Sequence, residues 1–170
     1  MSVTNIDELG IHDHGSAATS AAEHSASGII LKVANTLIPT ASVLTLTTPV
    51  TVVAAPGAGR VNIFKGAILF LDYNSIAYTL ETDDDLQFKY TNASGAAASV
   101  ALEARGFLDQ TNDEYIYAPI VSPALIDVST LANAAIVLDA TGANPGAGNS
   151  PLKVRVFYEQ WDTTSLASIA

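Results

Sequence analysis

The sequence predicts an all-β fold, an antiparallel β-sandwich or jelly roll, preceded by an extended N-terminal arm. Three observations predict it. From Gly28 onward, short apolar or alternating runs are separated by Pro, Gly, Asn and Asp clusters at intervals of about ten residues. No stretch carries the 3.6-residue period of a long amphipathic helix. The first 27 residues are set apart by their small, polar composition. The expected organisation is therefore an arm over 1–27 and one β-domain over 28–170.

The arm has Val3, Ile6, Leu9 and Ile11 as its large apolar residues after Met1, followed by the run HDHGSAATSAAEHSAS. Such a segment buries too little to offset its own ordering entropy. It is either a tail without structure or an arm that orders against a neighbour. In the second case Ile6, Leu9 and Ile11 are the anchors and the Gly-Ser-Ala stretch is the spacer.

The domain opens with a strand at Ile29–Leu37, closed by Pro39. Val43–Thr47 (VLTLT) alternates and reads as a second strand. Val50–Ala54 leads into the turn Pro56-Gly57-Ala58-Gly59, and Arg60–Asp72 is the longest strand candidate. The centre of that strand, Ala67–Leu71, is apolar on both faces, which places it inside a two-layer structure. Ile76–Leu80 and Leu86–Thr91 are expected strands around the acidic turn Glu81–Asp85. Ser99–Ala104, Ile116–Val121 and Ala134–Leu138 follow, with an acidic loop at Leu108–Tyr115. Leu125–Leu131 fits either a strand or a helical turn. After the loop Thr141–Pro151, Leu152–Trp161 alternates strongly, with Leu152, Val154, Val156 and Tyr158 on one side and Lys153, Arg155, Phe157 and Glu159 on the other.

Composition narrows the function. Charged residues are 14% of the chain, against roughly 25% in ordinary soluble domains, which fits a surface that packs on copies of itself or on a partner. The net charge is −10 and the seven basic residues are scattered, so contact with nucleic-acid phosphates is not expected. There is no cysteine, hence no thiol nucleophile, disulfide or cysteine-held zinc. The start MSVTNIDELG lacks the basic and apolar regions of a secretory signal, and no apolar run is long enough to span a membrane.

The motifs that suggest chemistry fall short of it. APGAGR lacks the lysine, hydroxyl and helix of a phosphate-binding loop and reads as a turn. His12 and His14 share one side of an extended chain, but no third firm metal ligand is evident. Glu81, Asp83, Asp84 and Asp85 lack the spacing of a calcium loop and read as a charged turn capping strand ends, as do Asp109, Asp113 and Glu114. All three histidines precede residue 25, outside the expected core, which leaves no Ser-His-acid triad. No catalytic residue, metal or cofactor is expected. Tyr73, Tyr78 and Trp161 are the candidate subunit-interface aromatics.

The turn Ala55–Arg60, the run ILFLDYNSIAYT (Ile68–Thr79) and LQFKY (Leu86–Tyr90) resemble small virion proteins of tailed bacteriophages. The resemblance covers about Gly28 to Trp161. It implies a jelly roll or related sandwich and, among such proteins, a capsid decoration (cement) protein: a homotrimer whose arms reach over the major capsid protein. It implies no catalytic residues. The expectation is thus a structural protein of the virion surface, made in the host cytoplasm, with no nucleic-acid or membrane partner. The alternative is a head-fibre or tail appendage domain that binds a host glycan or protein, through the loops near Asp109–Tyr117 and Thr141–Pro151.

Overall fold

The computed structural model describes residues 30–121 and 127–165. These residues form ten β-strands and two single-turn helices: β1 (Lys32–Ile38), α1 (Thr40–Val43), β2 (Val50–Val53), β3 (Arg60–Leu71), β4 (Tyr78–Thr79), β5 (Asp85–Tyr90), β6 (Leu102–Glu103), β7 (Glu114–Ala118), α2 (Val128–Leu131), β8 (Ile136–Thr141), β9 (Gly146–Ala147) and β10 (Leu152–Asp162). Every strand pairing is antiparallel. The first sheet has the order β1-β10-β3-β7 and the second β2-β8-β5-β6; β4 and β9 pair separately. The all-β antiparallel expectation is met. Residues 1–27, including the arm anchors Ile6, Leu9 and Ile11 and all three histidines, lie outside the described residues.

The two large sheets face each other across one apolar core. The first contributes Ile38, Phe64, Ala67, Leu69, Leu71, Leu152, Val154 and Val156; the second contributes Leu86, Phe88, Tyr90, Ile136 and Leu138. Phe64 and Phe88 stack between the sheets with ring centroids 5.2 Å apart. The buried positions of β5, and of β10 as far as Val156, follow the alternation visible in the sequence, because a strand sends successive side chains to opposite faces; past the register shift at Phe157/Tyr158 the buried residue of β10 is Glu159.

β3 breaks that alternation. Its inward residues are Ala67, Leu69 and Leu71 in one half, but Asn62 and Phe64 in the other. The pairing explains the change. Gly66 opposes Phe157 and Phe64 opposes Tyr158, so Lys65 is an extra residue, a β-bulge that reverses which parity faces the core. Gly66 has φ 146°, and a Cβ there would lie 2.5 Å from the Tyr117 hydroxyl, so glycine is required at the bend. Beside the bulge, the Phe64 N–H finds the Tyr90 hydroxyl at 3.1 Å, a bond between the two sheets.

Burial pushes the Tyr90 phenol above its ordinary 10.0, with the bond to Phe64 pulling the other way. Burial likewise raises Tyr78. A raised native value means the folded chain keeps a proton that the unfolded chain releases. That contribution is fully present below pH 10 and is lost as pH rises through the folded-state value. Tyr90→Phe is expected to cost about 1–3 kcal/mol near neutral pH, since it strands a buried N–H donor. It should also flatten the fall in stability above pH 10. Urea unfolding of both proteins at neutral and alkaline pH measures both effects.

Some strand expectations are corrected. Val43–Thr47 is not a strand but the end of α1 and a following turn. Pro39 presents an extended N-cap whose carbonyl accepts from Ser42 N and Val43 N, and Thr45 Oγ1 bonds back to Ala41 O. The buried residues are Val43 and Leu46, a spacing of three that suits a helical turn. Ile76–Leu80 shortens to the two residues of β4, and Ser99–Ala104 to the two of β6. Ser99 is buried and its hydroxyl accepts from Phe88 N, a side chain standing in for a ladder bond. Of Leu125–Leu131, the described part is a helical turn, α2, capped by the Asp127 carboxylate on Ser129 N.

Candidate docking face

The first sheet buries one face and leaves much of the other open. The register assembles that open face row by row. In one row Asn35, Arg155, Ile68 and Tyr117 stand side by side; in the next, Leu37, Lys153, Phe70 and Tyr115. Val33 and Phe157 form a partial third row ending on Gly66. Tyr115 is 70% exposed and Leu37 62%. Scattered single hydrophobes on a surface need no explanation, but here apolar and aromatic residues of β1, β3 and β7 share one open face, with Lys153 and Arg155 of β10 between them.

Between β1 and β3 the face dips into a groove of about 550 Å³ lined by Asn35, Leu37, Ile68, Phe70, Lys153 and Arg155. Lys153 Nζ stands 5.4 Å from the Phe70 ring centre and pairs with Asp72 at 2.8 Å. Arg155 Nε donates to Asn35 Oδ1 at 2.8 Å. Among the described residues no carboxylate lies within ion-pair reach of Arg155. The site is thus an apolar trough crossed by two cations, one of them without an acid partner among the described residues.

Other polar clusters serve the fold. The carboxylate of Asp84, 3% exposed, accepts from Glu81 N at 2.7 Å and Ala143 N at 2.8 Å, which ties the acidic turn to the loop after β8. Asp109 caps Gly106 N, and Asp113 accepts from Tyr73 N. Glu159 is buried and bonded by Lys65 Nζ and Trp161 Nε1. Lys89 holds Oδ2 of buried Asp139 at 2.7 Å, while Asp139 Oδ1 has no hydrogen-bond partner among the described residues. No group of three or more potential metal ligands occurs among the described residues. The turn at Gly57 and Gly59 (φ 97° and 71°) feeds directly into β3, with no helix to cradle a phosphate.

The aromatic residues expected between subunits are placed differently from one another. Tyr78 is committed to the core of the domain itself, 2% exposed, with its hydroxyl donating to Ser150 O. Tyr73 and Trp161 are half-buried and keep some surface. The more exposed aromatics are Tyr115 and Tyr117 on the edge strand β7. The sequence carried a signal for them, since EYIYA alternates Tyr with apolar residues, but nothing local tells which side faces the core.

No protein-family model matches the chain, and no curated protein matches it. Among solved structures, the chain is similar to one in the cyanophage Pam1 capsid asymmetric unit. The two are 16% identical over 93% of this chain and 98% of that one, with a TM-score of 0.48. No helix among the described residues is long and apolar enough to cross a membrane.

Proposed function

We propose that this chain is a non-enzymatic structural protein of a phage virion, a decoration protein that binds the outer surface of the head as a homotrimer and braces the shell. The observation that carries this reading is the strand order. Eight strands threaded as β1-β10-β3-β7 and β2-β8-β5-β6 fit a jelly roll, the double-sheet Greek-key design used by viral capsid domains among others. A low content of charged residues and a largely apolar open sheet face support a subunit that is surrounded by contacts. In this reading the arm over residues 1–27 clasps the major capsid protein through Ile6, Leu9 and Ile11, and Tyr73 and Trp161 lie between subunits. Many tethered copies on one shell gain by avidity, so each single contact can be weak.

The test is addition of the purified protein to heads that lack it. Saturable binding in multiples of three copies, with decorated heads surviving higher temperature than bare ones, is the expected result. Absence of binding to heads, together with adsorption to host cells, would replace this reading with the appendage alternative. The exposed Tyr115 beside the acidic loop would then be the first contact residue to substitute.

A further inference from the structure

The apolar trough of the first sheet raises the question of what covers it in the free protein. We infer that its occupant is the chain's own N-terminal segment, residues 3–13, stored on this face until a shell is met. The inference rests on the arm reading above and adds a resting place for the arm.

Three observations carry it. The first is chemical fit. In an extended segment Asp7, Leu9, Ile11 and Asp13 fall on one side, an apolar pair flanked by acids. The trough offers Leu37, Ile68 and Phe70 beside Arg155. The second is charge. Residues 1–29 contain Asp7, Glu8, Asp13 and Glu23 and no Lys or Arg, in a chain with only seven basic residues. Lys65 and Lys89 are bound to Glu159 and Asp139, and Lys153 to Asp72. Arg155 has only the neutral Asn35 as its described polar partner. Carboxylates from the arm would complete it.

The third is reach. The described chain begins at Ile30, just ahead of β1, the edge strand that forms one wall of the trough. Residues 14–29, which follow the docked segment, make a 16-residue spacer rich in Ala, Ser and Gly. A Gly/Ser-rich spacer of that length spans about 22 Å on average. The face is about 15 Å across four strands and about 23 Å along β1. A tether matched to its span gives an effective concentration in the millimolar range, so a weak contact suffices.

The absence of native cysteine makes the test direct. In the full-length chain, Leu9→Cys is combined with Leu37→Cys, and in a control with Thr51→Cys on an exposed position of the other sheet. Under mild oxidation, the Leu9–Leu37 pair should form an intrachain disulfide at least about tenfold faster than the Leu9–Thr51 pair. Arg155→Glu added to the first pair should slow it by about tenfold, and raised salt should do the same in part. Both new cysteines in the domain replace exposed residues, and matched unfolding midpoints would verify an unchanged fold. Equal rates for the two pairs, no bond at all, or bonds only between chains would overturn the proposal. The readout uses no heads, so failure here is distinct from failure of head binding.

Discussion

Phe88→Ala is expected to lower the unfolding free energy by about 3–5 kcal/mol, the range for deleting a fully buried aromatic ring. Phe88 is 0% exposed and sits on β5, an interior strand of its sheet. Its ring stacks on Phe64, on the opposite sheet beside the bulge. Phe88 hangs from a strand paired with β8 along its length, and Phe64 is held by β10 and by its N–H bond to the Tyr90 hydroxyl, so the walls cannot readily close on the space left behind. Domains of this size lose about 2–4 °C of Tm per kcal/mol, which predicts a drop of roughly 10 °C. Phe70→Ala, on the open face of the first sheet, should cost far less. Denaturant unfolding with an unchanged m-value measures both. A loss below about 1 kcal/mol for Phe88→Ala would mean that the sheets do not meet through this pair.

Removal of residues 1–27 is expected to abolish head binding, by at least about a hundredfold, while leaving the domain folded. The second half rests on where the core lies: among the described residues its first member is Ile38. The first half follows from avidity, since a multivalent protein that loses its clasp loses the gain on every copy at once. Sedimentation with heads reads the binding, and the unfolding midpoint reads the fold. Undiminished binding by the shortened protein would remove the arm from the mechanism and move attention to the sheet face. Light scattering on the same pair of proteins tests the subunit contact: a trimer in both supports an interface made by the domain itself.

Local patterns were legible wherever one strand decides its own fate. The two-residue alternation of Leu152–Trp161, the Pro-Gly turn ahead of Arg60 and the long apolar run to Leu71 each became the expected element. These signals depend on side chains one or two residues apart. VLTLT misled for the same reason. Its alternation is real, but the Pro39 carbonyl and the threonine hydroxyl offered a helical turn first, and burial of Val43 and Leu46 kept it.

What the sequence by itself determined is the all-β class, the strand-rich chain after residue 28, the apolar centre of β3 on both sides, and a first segment chemically unlike the rest. What only the tertiary structure decided is which strands pair, and in what register. Pairing joins residues more than a hundred positions apart, as Asn35 and Arg155 are, and no local periodicity encodes that choice. The bulge at Lys65 is likewise invisible until β10 lies beside β3, and it alone sets which residues of β3 enter the core. Pairing β3 with β10 left Ile68 and Phe70 facing outward beside Arg155, and contacts elsewhere in the fold buried Tyr78, Asp84 and Asp139. A strand's sequence fixes that it has two faces; the partners on either side decide which face is covered.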